Sequence, residues 1–230
     1  MYIVAHRGAE DLELENSMAA FLAAPPADAM ELDVHASRDN HVVVIHDRTA
    51  ARVADPASPH RDAPMASLTL EEIRQITLRD GSKIPTLEEV LDATTLPILV
   101  EIKAPGTVAP LAELFRDRPE QLGRILFISF IDSALVELTD RIPAARVGVL
   151  RADPAHDVDV LDELPEASLA AFLPHWKMIT PELVANYHTR GIRVGCWTIR
   201  DEDALAAVEA AGVDCATVSD PGRFRPGSSH

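Results

Sequence analysis

The stretch MELDVHASRDNHVVVIHD, residues 30–47, sets Glu31, Asp33 and His46 inside two short runs dominated by valine, leucine and isoleucine. Such runs read as strands, and Asp39-Asn40 between them reads as a tight turn, since both residue types tolerate positive φ. A two-residue turn there places Asp33 directly opposite His46. Alternation along a strand puts Glu31 on the face of Asp33 and turns Leu32, Val43 and Ile45 to the other. Two carboxylates and an imidazole on one patch could bind a metal and move protons.

Further groups of this kind sit at the ends of other apolar runs. AHRG carries His6 and Arg7, VEIKAPG carries Glu101 and Lys103 on one face, and CWTIR carries Trp197. Glu31, Asp33 and Glu101 together make an all-oxygen set suited to a hard cation, Mg²⁺ or Ca²⁺. Without one, three close carboxylates repel and tend to protonate. With one divalent ion and the cations of Arg7 and Lys103, the cluster keeps a single net positive charge, which matches the single negative charge of a phosphodiester. The histidines are the groups able to exchange protons near neutral pH.

These residues need elements to hold them. Strand patterns fall over residues 2–5, 30–34, 98–102, 125–129, 146–150, 168–172, 192–197 and 214–218, with 42–46 an antiparallel hairpin return. Helical patterns follow over 16–24, 107–117, 133–141, 181–190 and 201–211, with Asn16, Thr107, Thr180 and Asp201 as start signals and Gly191 and Gly212 as stops. Strands alternating with helices argue for a parallel sheet, and eight of them for a (β/α)8 TIM barrel, an α/β fold whose active site lies at the C-terminal strand ends. Residues 1–225 are read as a single barrel domain. Residues 48–86, with a short helix over 70–76, are a small insertion after the second-strand hairpin, and 226–230 a disordered tail.

Composition narrows the partners. The chain has 230 residues, 47% hydrophobic, and a net charge of −16. That charge opposes nucleic acid and stable membrane association, because both present anionic surfaces. A phosphate-bearing ligand is then a small molecule met by local cations. No apolar run approaches the roughly 20 residues of a membrane span, no leader pattern precedes YIVAHRG, and two cysteines are too few for a disulfide framework. The expected location is cytoplasmic. Other residues get plainer readings. Glu15 and Asn16 are expected to cap the first helix, with support of the site residues from behind as the rarer alternative, Asp47 fixes its loop, Trp176 packs, and His35 lies in solvent past its strand. His41, His60, His156, His175, His188 and His230 are surface residues.

Taken together, AHRG, ENS followed by AF, MELDV, VVVIHD, IPTLEEVL, VEIK, ISF, CWTIR and VSDP, in that order, closely resemble the glycerophosphodiester phosphodiesterase family over nearly the whole chain. The resemblance implies a (β/α)8 barrel that hydrolyses a small-molecule glycerophosphodiester to sn-glycerol 3-phosphate and an alcohol. It implies His6 and His46 as general acid and base, Glu31, Asp33 and Glu101 as metal ligands, Arg7 and Lys103 on the phosphate, and Phe130 and Trp197 lining the pocket. Leu14 stands where the family usually has proline, and Ser219 where it usually has threonine. A lysophospholipase D acting on lysolipids, a phosphatidylinositol-cleaving lipase and a catalytically silent ligand-binding barrel are the alternatives.

Overall fold

A strand covered on both faces must be apolar nearly throughout, and the chain supplies such segments at regular intervals. The computed structural model describes residues 1–153 and 160–224; the expected tail, His156 and His230 lie outside the described residues. The strands are β1 (Tyr2–Ala5), β2 (Ala29–Ala36), β3 (Val42–Val44), β4 (Ile98–Ile102), β5 (Ile125–Ser129), β6 (Val147–Arg151), β7 (Leu169–Pro174), β8 (Arg193–Ile199) and β9 (Cys215–Val218). All but β3 run parallel to their neighbours, and β1 pairs with both β9 and β2, so the sheet closes into a (β/α)8 barrel. The helices are α1 (Met18–Leu22), α2 (Leu70–Gln75), α3 (Leu87–Ala93), α4 (Val108–Asp117), α5 (Asp132–Arg141), α6 (Val160–Glu163), α7 (Pro181–Thr189) and α8 (Glu202–Ala210).

Alternation sorts the side chains into two layers. Inside the barrel, Val4, Ala29, Leu99, Ile128, Leu150, Ala171 and Leu173 make an apolar plug. Their strand neighbours, such as Met30, Leu32, Val100 and Phe127, face outward and pack under the helices. Above the plug the same inward rows continue as Glu31 and Asp33 on β2 and Glu101 on β4, with Asp33 paired beside Glu101. The barrel interior is thus apolar at its base and charged at its mouth.

Helix starts follow from capping chemistry. Thr69 and Thr86 each form a reciprocal capping box, with Glu72 and Glu89, and Thr180 and Asp201 cap α7 and α8. Two expected caps are corrected. Ser17, not Asn16, caps α1, and Thr107 makes no side-chain cap because a 3-10 turn over Pro105–Thr107 leads into α4.

The hairpin register also differs from expectation. Val34 pairs with Val44 and His35 with Val43, which shifts the alignment by one residue. The turn holds three residues rather than two: Ser37 N–H donates to the His41 carbonyl, and Asn40 takes the left-handed conformation at φ 66° that such loops require. Asp33 therefore lies across from Ile45, whose N–H bonds the Asp33 carbonyl. Val42 and Val44 join Leu32 under the helices, whereas Val43 and Ile45 turn into a second small apolar core with Val53, Met65, Ile73, Ile76, Leu78 and Ile84. That core holds residues 48–86 against the hairpin.

The loop after β1 packs directly onto α1. Gly8 sits at φ 80°, and a Cβ there would lie 2.6 Å from the Ala20 carbonyl carbon. Overpacking of this kind costs about 1–3 kcal/mol. Gly8→Ala is therefore expected to lower the thermal midpoint by several degrees in a melting experiment; an unchanged midpoint would contradict this packing.

Candidate active site

The charged mouth opens into a cleft of about 530 Å³. His6, Arg7, Glu31, His46, Glu101, Lys103, Phe130 and Trp197 line it, and Asp33 lies just beneath, 1% exposed. The structure thus brings together every site residue singled out in the sequence. His46 arrives by a different route from the one expected. It is not Asp33's cross-strand partner but follows the end of β3, where the chain leaves the sheet.

Glu31, Asp33 and Glu101 each offer an oxygen within 4.8 Å of the others. Two cations hold this group together. Arg7 donates its backbone N–H to Glu31 Oε2 at 2.9 Å and places Nε 3.3 Å from Asp33 Oδ2. Lys103 Nζ lies 2.7 Å from Glu101 Oε1 and 3.4 Å from Asp33 Oδ1. Burial alone would push Asp33 up, but Lys103 and Arg7 outweigh it and hold the carboxyl below the usual range. The other two go the opposite way. Burial, with Asp33 and Glu101 as like-charged neighbours, raises Glu31 well above the carboxylate range, and burial beside Asp33 lifts Glu101 to about 7. Among the described residues, Glu31 Oε1 and Asp33 Oδ1 are buried and make no hydrogen bond.

Each imidazole is backed by a carboxylate. His6 Nδ1 lies 2.8 Å from Glu10 Oε1, which also receives Arg200 Nη2 at 2.7 Å. His46 Nδ1 lies 2.6 Å from Asp47 Oδ1. At His46 that carboxylate accepts from Nδ1–H and leaves Nε2 to exchange protons, whereas His6 Nδ1 lies close to Glu10 without an aligned hydrogen bond. Glu10 escaped the sequence reading, although its place four residues after His6 is a readable signal, and Asp47 proves to be more than a loop anchor.

Several plainer readings are corrected. Asn16 does not cap a helix: its side-chain amide donates to Asp33 Oδ2 at 2.8 Å and its oxygen accepts from the Asp33 N–H. Glu15 accepts from Arg7 and Arg52. His35 is buried, 8% exposed, and donates Nε2–H to the His46 carbonyl at 3.2 Å. His175 is half-buried and lines the cleft, its ring edge-on to Trp197 at 5.3 Å. Trp176 both packs on the core and lines the cleft. His188 pairs with Asp214 at 2.8 Å. Phe130 stands edge-on to Trp197 at 5.2 Å, and Trp197 Nε1–H donates to the Leu173 carbonyl.

This cleft has counterparts in known proteins. The sequence profile of the Glycerophosphoryl diester phosphodiesterase family matches residues 6–223. The chain belongs to that family. It is accordingly a phosphoric diester hydrolase, of the family whose chemistry is hydrolysis of glycerophosphodiesters. The chain is 30% identical to "Probable glycerophosphodiester phosphodiesterase 2" of Mycobacterium tuberculosis, over 92% of this chain and 84% of the relative. It is 28% identical to a glycerophosphodiester phosphodiesterase of Caldanaerobacter subterraneus subsp. tengcongensis, over 95% and 94%. A solved phosphodiesterase of Oleispira antarctica, in complex with the product sn-glycerol-3-phosphate, shares the fold at a TM-score of 0.82 and 23% identity, covering 97% of this chain and 95% of that one. Among the described residues no helix is long and apolar enough to cross a membrane.

Three carboxylates within 4.8 Å put like-charge stress on the mouth of the phosphodiesterase, and the sign of its pH dependence follows. A carboxyl raised on folding contributes stability below its ordinary value, lost as pH rises through the folded value. For Glu101 that window runs from 4.5 to about 7. Glu31→Gln keeps an acceptor for the Arg7 N–H and removes one buried anion. In thermal unfolding with EDTA, this variant is expected to melt above the wild type, by a margin that widens as pH rises above 4.5. A variant that melts lower at pH 8 would contradict the assignment.

Proposed function

We propose that this phosphodiesterase cleaves a small soluble glycerophosphodiester to sn-glycerol 3-phosphate and an alcohol, with Glu31, Asp33 and Glu101 holding one divalent cation, Mg²⁺ or Ca²⁺, and with His6 and His46 as the acid–base pair. The observation that carries this reading is the meeting, in one cleft, of three buried carboxylates, two cationic side chains and two imidazoles each backed by a carboxylate. The product held by the Oleispira antarctica phosphodiesterase supports a ligand of this size.

The donor set fits the ion. It is all oxygen, its atoms lie within 4.8 Å, and Glu31 Oε1 and Asp33 Oδ1 are buried with hydrogen-bonding capacity unused. Such a set suits a hard cation and strands its charge without one. When bound, the ion supplies neutralising charge at the phosphoryl oxygens.

The chain's own residues do the rest. Arg7 and Lys103, already aligned on the carboxylates, face the cleft and receive the diester's anionic oxygens, which gain charge in the transition state. One imidazole takes the proton of the attacking hydroxyl at Nε2, and the other gives a proton to the departing alkoxide. The attacking hydroxyl is that of water, or the glycerol 2-hydroxyl of the substrate, which gives a cyclic phosphate that water then opens to sn-glycerol 3-phosphate. Asp47 keeps the His46 ring in the Nδ1–H form, and Glu10 stands beside His6 Nδ1. Phe130 and Trp197 present an apolar wall to the glycerol carbons.

Release of sn-glycerol 3-phosphate from glycerophosphocholine and glycerophosphoethanolamine tests this reading. It is expected with Mg²⁺ or Ca²⁺ and lost with EDTA, and His6→Ala and His46→Ala are each expected to lower turnover about 10²-fold or more with the fold intact. Metal-independent release, or near-wild-type turnover in either variant, would contradict it.

A further inference from the structure

Arg52 lies five residues beyond Asp47, within the insertion, and its guanidinium uses both edges of its planar fork. Nε donates to Asp47 Oδ2 at 2.6 Å. Nη1 and Nη2 donate to the two oxygens of Glu15, thirty-seven residues earlier in the chain. Each of these carboxylates also reaches a working side chain, Asp47 through its other oxygen and Glu15 through the Oε1 it shares with Arg52. Asp47 Oδ1 meets His46 Nδ1 at 2.6 Å, and Glu15 Oε1 accepts from Arg7 Nη1 at 2.9 Å.

We propose that Arg52 is a positioning residue that locks Asp47 and Glu15 in place and, through them, aims the His46 imidazole and the Arg7 guanidinium at the same phosphate. The inference rests on the proposed roles of His46 and Arg7. Arg52 joins the proton-transfer side of the cleft to its phosphate-binding side, although it is not among the residues that line the cleft.

A plainer role would be to staple the insertion to the barrel, and the packing argues against it. Ala50 and Val53, on either side of Arg52, are buried in the insertion's own apolar core with Val43 and Ile45 of the hairpin. That core already anchors the segment. Arg52 is 45% exposed and Asp47 34%, and an ion pair this exposed adds little stability, so only the forked contact to Glu15, 14% exposed, adds to the anchoring. Their geometry matters more, since a displacement of about 1 Å in a reacting group can cost about 10²-fold in rate. Without Arg52, Asp47 is free to turn toward solvent, and His46 loses its tautomer lock. Glu15 keeps only Arg7, and the aim of that guanidinium loosens. Lysine cannot substitute, because a single ammonium lacks the fork that bridges two carboxylates.

The test is steady-state glycerophosphocholine hydrolysis by the metal-loaded full chain, with a thermal melt of each variant. Arg52→Ala is expected to lower kcat about tenfold or more and to raise KM severalfold, while its melting point stays within a few degrees of wild type. Arg52→Lys should recover little. Asp47→Asn should reproduce the kcat loss and Glu15→Gln the KM rise. The double variant Arg52→Ala with Asp47→Asn should have a kcat no lower than the worse single variant, because Arg52 acts on kcat through Asp47. A folded Arg52→Ala enzyme with kcat within twofold of wild type, or losses that multiply in the double variant, would overturn the inference. If Arg52→Ala does not fold, Arg52→Gln and Arg52→Lys carry the same comparison. His46→Ala run in parallel separates the two readings: activity lost there but kept in Arg52→Ala overturns this inference alone, whereas activity kept in His46→Ala overturns the two-histidine reading and this inference with it.

Discussion

Glu31, Asp33 and Glu101 are held within 4.8 Å of one another where water scarcely reaches them, and most of the barrel mouth answers to that like charge. Water would screen such a trio, and a buried site does not. The local cations are placed accordingly. Arg7 and Lys103 both lean on Asp33, the deepest of the three, and Asn16 adds a hydrogen bond to it. Asp33 can therefore stay ionised, while Glu31 and Glu101 absorb the remaining repulsion through raised proton affinity. Two cations are not enough for three anions, a deficit that the proposed divalent ion would meet.

The same constraint explains the layout of β2. It runs to eight residues, longer than any other strand, because it serves three neighbours. Its first residues close the barrel against β1, its middle pairs with β4 and brings Asp33 beside Glu101, and its end pairs with β3. The overhang lifts the hairpin clear of the barrel, so that the chain after β3 drops His46 at the cleft and then builds the insertion. His35, buried at the same overhang, holds the His46 carbonyl in place. Register, hairpin and the position of His46 are thus set by one strand.

How much of this was legible follows from the range of each interaction. Apolar runs and caps are local, so the strands and the expected helices fall within two residues of their patterns, down to 169–174 where 168–172 was expected. The α3 helix was missed although Thr86 and Glu89 spell a capping box, because those residues had been read only as part of a motif. Side-chain partnership is not local. Asn16 looks like a cap in sequence and is a ligand of Asp33's carboxylate in space; Arg52 looks like one surface arginine among many until Glu15 is folded against it. His35 was expected in solvent because the strand's end was placed two residues early. The hairpin slipped by one because Asp39 and Asn40 suit a two-residue turn equally well, whereas Asp39 Oδ1 is engaged by the Leu70 N–H of the insertion, a contact no local pattern announces. Glu31, Asp33, Glu101 and Lys103 were legible because residue type and strand alternation bring them to one face, and His6, Arg7 and Trp197 because they stand at strand ends; His46 reaches the cleft by another register, and Phe130 was legible only through the family motif.

The central claim is that a divalent cation relieves a buried carboxylate cluster that folding has left under-neutralised. Calorimetric titration of Mg²⁺ or Ca²⁺ into the EDTA-stripped enzyme near pH 6, repeated in two buffers of different ionisation heat, tests it most directly. Glu101, lifted to about 7, carries a proton there that the ion must displace, and Glu31 is raised in the same direction by burial. The account predicts one bound ion with release of at least one proton into the buffer. Absence of binding, or binding with no proton released, would contradict it.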